Sequence, residues 1–201
     1  MAKNLDGVTL MLGLASKQLV SPEDYLAGEL LASARSEYLQ GEVYAMAGAN
    51  DSHVTINVNL ITIIKTHLRG SACKPYVNDM KVRIGEDEAF YYPDLLVCCD
   101  PADHQRNHFK QAPLLIIEIL STSTEAYDRG DKFAFYRQLA SLQEYVLVNT
   151  RSYRVEVFRR NAQHRWELFS FFGAEASMEL ASIGLTCSLL DVYEDVDFGL
   201  V

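Results

Sequence analysis

Long apolar runs, paired-cysteine motifs and glycine-rich loops are all missing from this sequence of 201 residues. No stretch of about 18 uncharged apolar residues occurs, so no membrane-spanning helix is expected. The four cysteines (Cys73, Cys98, Cys99 and Cys187) form no CxxC motif and have no paired histidines nearby, which argues against a zinc site. Cys98 and Cys99 are adjacent in an expected strand, so their side chains point to opposite faces. Reduced thiols in a cytoplasmic protein are the expectation. The lack of a phosphate-cradling glycine loop leaves a hydrolase of non-nucleic phosphate esters without a recognition motif. Positive charge is also scarce. Lys and Arg number 18 against 27 Asp and Glu, and the net charge of −9 opposes general, charge-driven binding to nucleic acid. It leaves room for a site where carboxylates gather cations. Arg151, Arg154, Arg159, Arg160, His164 and Arg165 form the candidate local basic face, the alternative being an ordinary solvated hairpin.

What is present suits one domain. Hydrophobic residues make up 49% of the chain, enough for a substantial core at this length. No repeat or low-complexity linker divides it. Residues 1–17 lack the positive start and small-residue cleavage site of a secretory signal, and read as a leader before a single domain over 18–201. Ser21-Pro22-Glu23-Asp24 carries a capping hydroxyl, a proline at the first helical position and acids at the positive end of the dipole, predicting a helix to about Ala32. Ser36 to Leu39 and Glu42 to Met46 flank Gln40-Gly41 as a hairpin. Asp51 is read as the cap of a second helix reaching Leu68, with Val54, Val58, Ile61 and Leu68 at helical spacing. Strands follow at Tyr76 to Asn78, Lys81 to Ile84, Tyr91 to Cys98 and Pro113 to Leu120. A third helix opens at Ser121 to Glu125 and runs to Leu139. Strands at Glu144 to Asn149, Tyr153 to Arg159 and Trp166 to Phe171 precede a short helix within Ser188 to Val196. This alternation predicts an α/β domain, a mixed central sheet flanked by helices.

The chemistry is signalled by acids in the wrong company. Glu118 interrupts Pro-Leu-Leu-Ile-Ile-Glu-Ile-Leu, the most apolar strand, where an ionised carboxylate costs several kcal/mol (roughly) unless it is paired or binds a metal. Asp94 repeats the anomaly one strand earlier, after Pro93. The blander alternatives are a glutamate at the sheet rim and a turn-associated Pro-Asp pair. On neighbouring strands about 5 Å apart, the two acids would share one cation. Oxygen-only ligands suit Mg²⁺ or Mn²⁺. Lys132 lies about 13 Å along the third helix, and Glu118 about 10 Å back from its strand's end, a difference that a lysine side chain spans. Alone, Lys132 would read as a solvent-facing helical lysine. His53 either faces the site or is a plain first-turn histidine. Tyr136, one turn beyond Lys132, either orients it or simply packs in the core.

Glu37-Tyr-Leu-Gln-Gly-Glu42, His53, Pro93-Asp94, Glu118-Ile-Leu-Ser121, Asp128-Arg-Gly-Asp-Lys132-Phe-Ala-Phe-Tyr136 and Glu144-Tyr-Val-Leu-Val occur in this order. Together they resemble the Uma-two family of restriction-endonuclease-like proteins, over residues 21 to 195. The resemblance implies a restriction-endonuclease-like fold of the PD-(D/E)xK nuclease superfamily. It implies Mg²⁺ (or Mn²⁺)-dependent cleavage of DNA by a homodimer. Asp94, Glu118 and Lys132 would be catalytic, with Asp94, Glu118 and either Glu37 or Glu42 on the metal. The superfamily's usual lysine position, two residues after the acid, holds Leu120, so the lysine role moves to Lys132. A nuclease fold that no longer cuts, acting as a binding or assembly module, is the competing reading.

Overall fold

Pro93 divides in two what the sequence reads as one strand. A proline offers no N–H to a ladder, so a strand ends or begins there. Accordingly β5 (Ala89–Tyr91) and β6 (Leu95–Cys98) belong to different sheets, with Asp94 at the crossing. The structure, a computed structural model, describes residues 19–46 and 48–199. The expected leader lies outside these residues.

The first sheet follows the helix α1 (Pro22–Leu31). It comprises β1 (Ser36–Leu39), β2 (Glu42–Ala45), β4 (Lys81–Ile84), β5 and β7 (Phe109–Lys110), in the order β2-β1-β5-β4-β7. Ser21 caps α1 by accepting the Asp24 N–H, with Pro22 in the first turn as expected. The β1–β2 turn places Gln40 at φ 47° and Gly41 at φ 94°, the conformation of a tight twisted hairpin. A Cβ on Gly41 would stand 2.8 Å from that of Leu19.

The second sheet carries the core. Its order is β11 (Trp166–Phe172), β10 (Arg154–Arg160), β9 (Glu144–Asn149), β8 (Pro113–Leu120), β6 and β3 (Lys74–Val77). The β8–β9 pair is parallel and the others antiparallel, so the sheet is mixed as expected. Side chains alternate along β8. Leu115, Ile117 and Ile119 pack with Ile56, Leu60 and Ile64 of α2 (Asp51–His67). Ile116 and Leu120 face the opposite way, toward Phe133, Tyr136 and Leu139. Glu118 shares the parity of this second set, which decides where its carboxylate points.

The cap of α2 is Asn50, not Asp51: the Asn50 side chain accepts the His53 N–H at 3.0 Å. Asn50→Ala is expected to lower stability by about 1 kcal/mol, read as a fall in thermal midpoint. No fall would mean that the buried face of α2 holds it without the cap. The expected third helix is interrupted. It consists of α4 (Glu125–Tyr127), a π-helical turn over Asp128–Lys132 and α5 (Phe133–Tyr136). Ser121 accepts the Thr124 N–H ahead of it.

Four elements go beyond the sequence reading: α3 (Pro101–Gln105), β7, and the hairpin strands β12 (Ser177–Leu180) and β13 (Leu185–Ser188). The short helix α6 (Leu189–Val192) closes the chain, capped by Ser188. No helix among the described residues is long and apolar enough to cross a membrane.

Two expectations are corrected. Cys73 and Cys99 form a disulfide, whereas Cys98 and Cys187 are buried thiols. Antiparallel pairing sets Lys74 opposite Cys98 and so brings their neighbours Cys73 and Cys99 together, a juxtaposition that strand register alone creates. Non-reducing peptide mapping should recover Cys73 joined to Cys99 and free thiols at the other two. The arginine run is neutralised in part, at three of its six residues. Arg151 pairs with Glu125 at 3.0 Å, Arg154 with Glu156 at 3.0 Å, and Arg159 with Glu144 at 2.7 Å and Glu179 at 3.1 Å.

Candidate active site

Asp94 and Glu118 lie side by side because β6 and β8 are antiparallel neighbours, with Leu95 opposite Ile117. The Asp94 N–H donates to Glu118 Oε2 at 3.3 Å, and the Ile119 N–H donates to Asp94 Oδ2 at 2.7 Å. Each acid is thus held by the backbone that carries the other. Glu118 is only 3% exposed.

Lys132 meets them from the π-helical turn. Such a turn widens the helix by one residue and is frequent at functional sites. Here it turns both Asp128 and Lys132 inward, and both are buried. The Lys132 ammonium stands 3.0 Å from Glu118 Oε1, 3.1 Å from Glu37 Oε1 and 3.7 Å from Asp128 Oδ1. The face of Tyr91 lies 5.7 Å away, a favourable neighbour for a cation. The turn itself is pinned from two sides. The Tyr145 hydroxyl donates to the Asp128 carbonyl at 2.9 Å, and Arg129 bridges Glu125 and Glu156 at 2.9 and 2.6 Å.

The remaining candidates separate. Glu37 joins the cluster from β1, accepting the Tyr92 N–H at 2.9 Å in addition to Lys132. Glu42 instead accepts the Tyr44 hydroxyl on its own strand. Tyr136 packs in the core, and its hydroxyl donates to Glu118 Oε1 at 3.0 Å rather than to Lys132. His53 is a first-turn histidine and also reaches the site, with Nε2 2.9 Å from Asp94 Oδ1.

The sequence reading misses two residues. Asp128 lies four before Lys132, the spacing of a helical ion pair, and that pattern was a usable signal. Asn57 lies four after His53 on the same helical face and donates to Asn78 Oδ1 at 2.9 Å and to the Asp94 carbonyl at 3.3 Å. A polar residue on a helix otherwise judged by its apolar spacing gave no comparable sign.

The electrostatics are lopsided. Burial pushes the Glu118 carboxyl well above the ordinary carboxylate range; Lys132 opposes the shift, while Asp128, Asp94 and Glu37 add to it. Burial likewise raises the Asp128 carboxyl. Burial alone would lower the Lys132 ammonium, but Glu118, Glu37 and Asp128 outweigh it and hold the group firmly charged. The cluster therefore carries more acid than its own lysine neutralises. Among the described residues no group of three or more His, Cys, Asp or Glu side chains is arranged, as it stands, to hold a metal ion. The carboxylates of Glu37, Glu118 and Asp128 converge on Lys132 instead.

The profile of the family described as "Uma2: Putative restriction endonuclease" matches residues 22–192. The chain belongs to the Uma2 family. This is the Uma-two group that the ordered motifs resemble, and the match spans every residue of the cluster. Two relatives come from Synechocystis sp. (strain ATCC 27184 / PCC 6803 / Kazusa). The "Uncharacterized protein slr1290" is 36% identical over 179 residues, 89% of this chain and 94% of that protein. The "Uncharacterized protein sll1609" is 32% identical over 173 residues, 85% of this chain and 98% of that protein. The crystal structure of a "putative nuclease belonging to DUF820" from Anabaena variabilis ATCC 29413 superposes with a TM-score of 0.69. It covers 87% of this chain and 97% of its own at 17% identity, a likeness of fold. The mixed α/β architecture of this Uma2 protein is thus that of a nuclease-like relative.

Proposed function

We propose that this Uma2 protein is a Mg²⁺- or Mn²⁺-dependent endonuclease that hydrolyses phosphodiester bonds in DNA. The observation that carries the reading is the pairing of Glu118 and Glu37 with one buried lysine, with Asp94 alongside donating its N–H to Glu118. Their oxygen-only donor set suits a hard divalent cation, and the excess of acid over base leaves charge for it to neutralise. Asp94, Glu118 and Glu37 would hold the ion; Glu37 is favoured over Glu42 by its contact with Lys132. When bound, the cation supplies polarisation of the phosphate and a lowered pKa for water.

The protein's own groups do the positioning. His53 and the Ile119 N–H fix the Asp94 carboxylate, while Tyr136 and the Asp94 N–H fix that of Glu118. Both acids therefore present their oxygens without further ordering, as a preorganised site requires. Lys132 places a positive charge beside the acids, where it can orient a water or offset charge building on the phosphate.

The test is Mn²⁺-dependent cleavage of plasmid and single-stranded DNA by wild type beside Asp94→Ala and Lys132→Ala. Wild type should cut and both variants should lose activity. Equal activity in all three would remove Asp94 and Lys132 from the reaction. The pairing of the arginine run with acids favours one other reading, a binding or assembly module that does not cut. Such a module predicts intact DNA in every assay and no uptake of Mg²⁺ or Mn²⁺ in calorimetry.

A further inference from the structure

Lys132 is held by the same carboxylates that the proposed function assigns to the cation. Its ammonium is 3.0 Å from Glu118 and 3.1 Å from Glu37, and the side chain is only 8% exposed. Hydrogen bonds from neighbouring groups hold these acids as well. Glu118 receives the Tyr136 hydroxyl and the Asp94 N–H, Glu37 the Tyr92 N–H, and Asp94 the Ile119 N–H and His53. As arranged, the cluster is closed around an internal monovalent cation. Glu37, Glu118 and Asp128 nevertheless gather about that one ammonium, with Asp94 hydrogen-bonded to Glu118 beside them, so lysine neutralises them only in part.

We infer that Lys132 and the divalent cation compete for the carboxylates of Glu118 and Glu37, so that loading the metal releases the lysine. This rests on the metal-dependent reading of the site and adds a regulation to it. In the resting protein Lys132 acts as a tethered stand-in, keeping buried acids compensated and setting a threshold for cation uptake. A divalent ion brings twice the charge to the same oxygens and repels the ammonium. The flexible four-carbon stem lets the lysine withdraw without moving the helix. The freed ammonium then becomes available to a phosphate, which orders the two events: cation first, lysine second. A lysine bound elsewhere on the helix surface would impose no such order.

The experiment is calorimetric titration of the full chain with Mn²⁺, together with thermal unfolding with and without Mn²⁺. Wild type is compared with Lys132→Met and Lys132→Gln, neutral side chains of similar length. Both variants should bind Mn²⁺ at least about tenfold more tightly than wild type. Saturating Mn²⁺ should also raise their unfolding temperatures by more than it raises that of wild type. A variant that unfolds without metal and refolds on adding Mn²⁺ supports the competition equally. Equal affinity in all three proteins overturns the competition yet leaves a metal-binding site in place, so the proposed function survives. Weaker binding by the variants also overturns it, making Lys132 a support for the cation rather than its rival. If no protein takes up Mn²⁺, the inference and the metal-dependent function fail together. Variants that stay unfolded at saturating Mn²⁺ overturn the inference, because the ion then cannot take the lysine's place.

Discussion

Glu118→Gln is expected to cut Mn²⁺-dependent DNA cleavage by more than about a hundredfold, the scale on which even residues outside the metal's immediate ligands act. It should do so without lowering the unfolding temperature. Glutamine keeps the shape and a carbonyl to accept the Tyr136 hydroxyl, but gives up the charge the cation needs. Stability follows a different balance. Burial, helped by Asp128, Asp94 and Glu37, makes the Glu118 carboxyl bind its proton more readily in the folded protein than in the unfolded one. A carboxyl shifted in that direction works against folding as pH rises above its unfolded value, about 4.3, and does so fully once pH exceeds its folded value. A neutral isostere removes that penalty, while Lys132 keeps Glu37 and Asp128. The variant should therefore match or exceed the wild-type melting temperature at neutral pH. Its advantage should shrink as the pH falls toward the ordinary carboxylate range. Thermal melts across pH, run beside the cleavage assay, check both halves. A variant clearly less stable at neutral pH would mean that the Lys132–Glu118 pair outweighs the cost of burial. Loss of activity with stability retained is the expected signature of a residue kept for function.

The second large effect concerns an acid of the opposite kind. Glu144 is 0% exposed, yet every contact it makes is structural. Its Oε1 accepts Arg159 Nε at 2.7 Å and the Ala181 N–H at 3.1 Å, and its Oε2 accepts the Ser182 N–H at 2.9 Å. One side chain thereby ties β9 to β10 and to the 3₁₀ turn Ala181–Ile183. Glu144→Ala strands a guanidinium and two backbone donors, and should cost about 3–5 kcal/mol. In a domain of this size that lowers the thermal midpoint by about 10 °C. Cleavage by the folded variant at low temperature should persist. A loss below about 1 kcal/mol would show that Glu179, already 3.1 Å from Arg159, takes over the pairing.

Set side by side, Glu118 and Glu144 show how far sequence reading reaches. Both are acids on apolar strands, and the anomaly alone does not tell a site from a pin. Glu118 reads as functional because Asp94 stands one strand earlier and Lys132 one helix later. Glu144 had only its place in a run of family residues. What separates them is the partner each one meets: a lysine shared with Glu37 in one case, an arginine and two amides in the other. Likewise, Glu37 and Glu42 flank one hairpin and are equivalent on paper. Strand alternation and the approach of the π-helical turn bring Glu37 to Lys132.

By itself the sequence determined the elements whose causes are local. The Ser21-Pro22 helix start, the Gln40-Gly41 hairpin and the span of β8 follow from capping, turn conformation and alternation. It also determined that Asp94 and Glu118 are out of place unless something compensates them, since burying charge is costly in any fold. Only the tertiary structure decided what the compensation is. The register of β6 on β8 makes the two acids neighbours, and that of β3 on β6 joins Cys73 to Cys99. One extra residue in the helix at Asp128–Lys132 turns an acid and a lysine inward together. Register and helix phase arise from contacts between segments far apart in the chain, and no local pattern encodes them.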